Sequence, residues 1–238
     1  MKLSKKIIGL AAATALVAGA GAMAAAPATA DYHKAKTKSK GGSVLSVPPG
    51  LVSTLAGAGV TLGVEGAAKA GINGSTGYTE VAFPLAPKPK TDGVIPHKGT
   101  LTISSVGTAV TLDYGNPWIE YATSGGSGAE LTGIINGLPD WMEPFSSALN
   151  GTRRATFVVN DWAGEWKKGK VRKVGKNYKR TDVFTGGGTV SVTDNQDSVN
   201  ILNTALFGQS VLEPGQEIGT IQTDIKNTVT CTKKKTCK

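Results

Sequence analysis

From Tyr78 onward, apolar residues fall at every second position. Val81 and Phe83 alternate with polar neighbours, as do Leu101 and Ile103, then Val110, Leu112 and Tyr114. Trp118 to Tyr121, Leu131 to Ile135 and Ala155 to Val159 continue the series, and Val183-Phe184, Val190, Val192 and finally Ile221, Thr223, Ile225 resume it. Turn-forming Gly, Asn and Ser separate these pieces at about 8–12 residues, the spacing of a sandwich or barrel. Two stretches change to a helical period. Leu51, Val52 and Leu55 follow Pro48-Pro49 and precede Gly57 and Gly59, so proline in front and glycine behind frame a short helix. Val199, Leu202 and Leu206 form the second face, with Asp194 and Asp197 as candidate caps and Gly208 past the end. A helical spacing at Trp141, Phe145 and Leu149 is weakened by Pro144 in its opening turns. The pattern predicts a mainly β, antiparallel sandwich or barrel-like domain with two short helices.

The N-terminus reads differently. Lys2, Lys5 and Lys6 precede an Ala-rich apolar run from Ile7 to Ala26, and Ala28-Thr29-Ala30 supplies a small-x-small cleavage pattern. Residues 1–30 are therefore expected to be a signal peptide cut after Ala30. No cysteine stands at the cut for a lipid anchor, no later stretch approaches the roughly 18 apolar residues of a membrane span, and no sorting signal of the LPxTG kind is present. The expected organisation is a flexible basic tail over 31–46, a β-domain over 47–230 and a basic tail over 231–238. The expected location is secreted or cell-envelope associated, with no integral membrane anchor. Export makes Cys231 and Cys237 candidates for a disulfide, since an oxidising compartment pairs thiols this close. A ring so small restrains a tail more than it staples a fold.

Charge is uneven. The formal net charge is +9, and loss of the leader leaves 23 of the 26 basic residues against 17 acidic ones. Most of the 23 lie in three runs: Lys34 to Lys40, Lys167 to Arg180, and Lys233 to Lys238. A basic stripe suits nucleic acid, but export removes that partner. Cell-wall polyanions and anionic headgroups are then the partners available to the basic runs, through weak, salt-sensitive adhesion. Solubility alone explains the same runs.

Enzymatic signatures are missing. His33 falls in the tail, leaving His97 as the one histidine of the body. There is no H-E-x-x-H or C-x-x-C spacing, no G-x-S-x-G elbow and no thiol nucleophile. Gly125-Gly126-Ser127-Gly128 lacks the lysine and strand-to-helix context of a phosphate loop and reads as a hairpin turn. Asp194-Asn195-Gln196-Asp197 lacks the central glycine and closing glutamate of a calcium loop. Asp161 and Glu165 flank Trp162 and Trp166, the pairing of carboxylates with aromatics that a glycosidase or sugar-binding face uses. The other reading is a core tryptophan with acids neutralising the adjacent basic run. The sequons at Asn73 and Asn150 read as turns.

The order of several segments then carries a resemblance. Val81-Ala82-Phe83-Pro84-Leu85 is followed by Val94-Ile95-Pro96-His97-Lys98-Gly99-Thr100-Leu101 and by Asn116-Pro117-Trp118-Ile119-Glu120. Near the end stand Asn203-Thr204-Ala205-Leu206-Phe207-Gly208 and Pro214-Gly215-Gln216-Glu217-Ile218-Gly219-Thr220. From Leu51 to Ile225 this progression resembles secreted actinobacterial proteins with HtaA-type domains. The resemblance implies a β-rich envelope domain and, in haem-uptake members, a tyrosine ligand in an S-F-R-x-Y motif with a histidine in a G-H-x-G-x-L strand. This sequence departs at both places: Leu51 to Val60 has no tyrosine, and Ser105 to Val110 carries no histidine. His97 matches another histidine position of the pattern. Haem, the one cofactor the resemblance implies, would need relocated ligands such as Tyr78, Tyr114 or Tyr121. The reading is a non-enzymatic, secreted or envelope-associated binding protein of unknown ligand, with haem binding and carbohydrate binding or processing as alternatives. Its candidate ligand-binding residues are His97, Tyr114, Tyr121, Trp118, Trp162 and Trp166, and neither catalytic nor metal-ligating residues are assigned.

Overall fold

A computed structural model describes residues 36–87, 93–121 and 128–237. The signal peptide with Ala30, Lys34 and most of the glycine turn at 125–128 lie outside the described residues. The strands are β1 (Lys36–Val47), β2 (Val60–Glu65), β3 (Lys69–Ile72), β4 (Thr79–Pro84), β5 (Val94–Pro96) and β6 (Thr100–Ser105). They continue as β7 (Val110–Glu120), β8 (Ala129–Asn136), β9 (Thr152–Lys167), β10 (Arg172–Val174), β11 (Asn177–Val192) and β12 (Glu217–Cys231). Three helices, α1 (Pro49–Gly57), α2 (Phe145–Leu149) and α3 (Gln196–Phe207), complete the layout. Two were expected; α2 forms because Pro144 sits at its N-cap rather than inside it. Among the described residues no helix is long and apolar enough to cross a membrane.

The sheet runs β2-β6-β7-β8-β9-β11-β12-β1-β4-β3, all antiparallel in its pairings, with β5 on β7 and β10 on β11. β5 rolls it into a nearly closed barrel. One edge of β5 pairs with the second half of β7, from Val94 opposite Glu120 to Pro96 opposite Trp118. Its other edge meets the end of β4: Ala86 N–H donates to Pro96 O at 2.9 Å and Lys98 N–H to Pro84 O at 2.8 Å. The ring so formed has eight strands, the size whose interior side chains can fill. Period-two alternation supplies them. On β12, Ile221, Thr223, Ile225, Asn227 and Val229 point inward between exposed or half-buried neighbours. Ile119, Val159, Val190 and Ile225 are fully buried at the centre, each worth about 1.5–3 kcal/mol relative to exposure.

β1 corrects the expectation of a flexible tail. Residues 36–46 form a strand held between β12 and β4, in register from Lys36 opposite Thr230 to Ser46 opposite Thr220. Its composition looked too polar for a strand. Among its described positions only the alternate Gly41, Ser43, Leu45 and Val47 are buried, and Lys38 and Lys40 are exposed. α3 also departs in detail, because Asn195 rather than an aspartate caps it by accepting from Ser198 N–H at 2.9 Å. Gly208 ends it in the left-handed conformation at φ 63°, as glycine readily does.

The C-terminal cysteines are bonded, Cys231 to Cys237, and the ring is docked rather than loose. Cys231 and Cys237 are buried with Val229 against Val171 and Tyr178. Arg180 Nη1 donates to Cys237 O at 2.7 Å, and its Nη2 donates to Asp182 Oδ2 at 2.7 Å. Both side chains of that ion pair are over nine-tenths buried. Removing one partner strands the other charge. Arg180→Ala should therefore cost about 3–5 kcal/mol, whereas the paired apolar replacement Arg180→Met with Asp182→Leu should cost far less. Urea denaturation midpoints of the two variants test this, and equal losses would contradict it.

Candidate functional site

The six sequence-nominated residues fall in three places. His97 and Tyr114 share the barrel interior. Tyr121, Trp162 and Trp166 gather around Phe184. Trp118 stands apart on the outer side of β7.

His97 follows β5 and turns its ring inward, with 1% exposure. Its Nδ1 lies 3.0 Å from Pro117 O, an acceptor only, so Nδ1 carries the proton. Nε2 then accepts from the Ser43 hydroxyl at 2.8 Å, and Ser43 Oγ accepts from Thr223 Oγ1–H at 2.6 Å. Burial without a countercharge holds the imidazole pKa down at about 4, opposed only by the Pro117 hydrogen bond. This serine–histidine contact is a sealed structural link, since both ring nitrogens and the hydroxyl are engaged inside the barrel.

Tyr114 crosses the lumen above Gly133, where a Cβ would come within 2.5 Å of the phenol ring. Its hydroxyl donates to Leu131 O, and its ring meets Phe157 edge-on at 5.4 Å. Burial pushes the phenol pKa well above its usual value, against an opposing pull from the Arg153 guanidinium and with a smaller push from Glu120. The space His97 and Tyr114 share is about 30 Å³, room for a water or two. Haem needs an apolar slot of porphyrin size and an ionised phenolate or free imidazole. The two nominated donors do not fit that group as placed.

The aromatic set is layered. Tyr121 stacks on Trp162 at 6.2 Å, Trp162 on Phe184 at 6.3 Å, and Trp166 tilts onto Phe184 at 5.3 Å. Gly164 and Gly186 leave space for the Phe184 ring, since a Cβ at either would meet it at 2.5 or 2.9 Å. Both tryptophans pack against the core, whereas Asp161 and Glu165 are exposed. Glu165 pairs with Lys167 at 3.4 Å on the surface. The carboxylates and rings thus face opposite ways. Trp118 is covered by Arg153, whose guanidinium carbon lies 3.9 Å from the ring centroid. Among the described residues no group of three or more His, Cys, Asp or Glu could hold a metal ion.

Alternating hydrophobicity did not reveal a second cavity. At the end of the barrel where β1 passes into α1, side chains of α1, α3 and the sheet line a partly open void of about 70 Å³. Leu51 and Leu55 of α1, Leu206 and Phe207 of α3, and Leu101 and Phe157 of the sheet contribute to a lining with no polar surface. A void of this character stays dry. α1 is a weakly held cover: it has no buried residue and no side-chain cap. The i, i+4 leucines of α1 were visible in the sequence, but a void leaves no sequence signal.

Neither a protein-family model nor a curated relative matches the sequence. Among solved structures, the chain is similar to the C-terminal domain of HtaA from Corynebacterium glutamicum. The identity is 13% and the TM-score 0.45, over 80% of this chain and 98% of that one. A domain-swapped dimer variant of the same domain gives 14% identity and a TM-score of 0.39, over 76% and 90%. This is a distant likeness of β architecture. It carries nothing about ligands.

The imidazole supplies a testable consequence. In the unfolded chain a histidine titrates near 6.5, so acid protonates the unfolded state first. The stability that His97 contributes is complete above that pH and falls as the pH drops toward about 4. The loss is at most about 3 kcal/mol. Subtracting the pH–stability curve of a His97→Gln variant from that of the wild type should isolate this fall. A difference curve flat between pH 7 and 4 would refute it.

Proposed function

We propose that this chain is a non-enzymatic, secreted or envelope-associated binding domain that receives the hydrocarbon part of a small lipid-like molecule. The observation that carries this reading is the wholly apolar void under α1 and α3. Eight-stranded barrels hold single small ligands in their mouths, and apolar pockets are the usual seat of small-molecule binding. An alkyl chain suits the lining, because a polar group placed there would be desolvated without a partner. The void holds only a short segment of chain as it stands. α1 lies over it without buried anchors, so it is the element that lifts to admit more.

Haem finds less support, because His97 and Tyr114 spend their donor and acceptor atoms on Ser43, Pro117 and Leu131. Carbohydrate processing finds less as well, with Asp161 and Glu165 turned away from the tryptophans.

Titration of the folded protein with a polyene fatty acid that fluoresces in apolar surroundings should give saturable, one-to-one binding. Leu55→Trp, which fills the void, should weaken it at least tenfold while the circular dichroism spectrum is retained. Absence of binding, or binding indifferent to the filled void, would overturn the proposal. Hemin added at one equivalent should give no new Soret band. A band abolished by Tyr114→Phe would favour haem instead.

A further inference from the structure

Basic runs far apart in the sequence are brought together by strand order. The hairpin of β10 and β11 carries the central run, β12 follows β11, and β1 with the N-terminal run follows β12. Register then aligns their outward side chains. Lys167 on β9 is opposite Val183 on β11, Val183 is opposite Lys226 on β12, and Lys226 is opposite Lys40 on β1. Two residue pairs closer to the hairpin turn, Thr181 and Thr228 share a hydroxyl contact at 3.2 Å, and Lys38 lies opposite Thr228. Next comes the row in which Arg172 faces Lys179 and Lys179 faces Thr230. Lys38, Lys40, Lys167, Arg172, Lys179 and Lys226 are all exposed.

We propose that this face binds a linear phosphate-diester polyanion. Lys40 and Lys226 stand directly opposite each other, an arrangement that costs stability unless a counterion lies between. Of the cations just named, only Lys167 has a carboxylate partner among the described residues, Glu165. Asp224, held by Gln222 at 3.2 Å, marks the edge of the face two residues beyond Lys226. From β9 to β1 the Lys167–Lys226–Lys40 row spans about 14 Å at the usual strand spacing, longer than the ~8 Å screening length of physiological salt. A single phosphate cannot engage both ends. An extended polymer can. Past β1 the row opens into a surface basin of about 360 Å³ lined by Lys40 and Lys98, which continues the track. The bond from Arg180 to the Cys237 carbonyl and the docked disulfide ring tie the hairpin to the segment that follows β12, so the cations are presented on a braced surface. A bilayer is the weaker occupant, because surface-seated segments insert apolar or aromatic side chains. Val174 is the one large exposed apolar residue that the described part of this hairpin offers.

The test uses the folded protein and a fluorescent synthetic poly(glycerol phosphate). Binding should be readily measured at 50 mM NaCl and lost at 300 mM. Lys40→Gln with Lys226→Gln should lower affinity roughly tenfold. Lys69→Gln with Arg154→Gln, which removes the same charge from other exposed strand positions, should change it less than twofold. Equal losses in the two double variants would mean that net charge alone acts, and would overturn the proposal. So would binding that survives high salt, absence of binding at low salt, or tighter retention on phosphatidylglycerol vesicles than on the polymer.

Discussion

A sheet that bends back on itself must find something to bond along its last seam, and here that task falls to three residues. β5 is the narrowest strand of the ring, yet it joins β7 to β4. His97, immediately after it, ties the seam to β1 through Ser43, which Thr223 of β12 supports in turn, and to β7 through Pro117. An apolar residue at 97 would fill space but leave the hydroxyl pair on β1 and β12 without its third member. The polar chain is tolerated because each hydrogen-bonding group has a partner, the condition under which buried polar groups rigidify a core. Closure in turn fixes where everything else points, since inward and outward positions alternate only relative to a ring that is shut.

The ring divides its chemistry by direction. β1 runs from the basic face at Lys40 to the apolar void at Val47, and seven strand residues separate these by about 23 Å. The apolar pocket under the helices and the exposed lysine row beside the hairpin are therefore well separated along β1. The aromatic layers around Phe184 and the buried pair His97 and Tyr114 belong to the same core.

Much of this architecture was legible from residue pattern. The alternation at Val81 and Phe83, at Val110 to Tyr114 and at Ile221 to Ile225 identified inward positions correctly, because half-buried strands leave a period of two. The helix ending at Gly208 was visible through its own local chemistry. β1 was not, since Lys36 to Gly42 has no hydrophobic alternation of its own; its inward positions near the hairpin are small, and pairing on both edges is a tertiary property. The nominated binding residues were chosen by side-chain type, which says nothing of their surroundings. Histidine, tyrosine and tryptophan are reactive or sticky by type, but only packing reveals that His97 and Tyr114 are sealed and that Trp118 is already capped by Arg153. The basic runs were plain in one dimension, and their meeting on a single face was not, because it depends on the order β11-β12-β1.

That order has a temporal side. β1 is the first described strand and β12 the last, and they pair along eleven positions at the centre of the sheet. A chain emerging from its N-terminal end must leave β1 without that partner until nearly every other residue has appeared. Contacts of such long sequence separation form late and slowly. The strand pairing thus works as a timer, postponing completion of the sheet until the last strand is available.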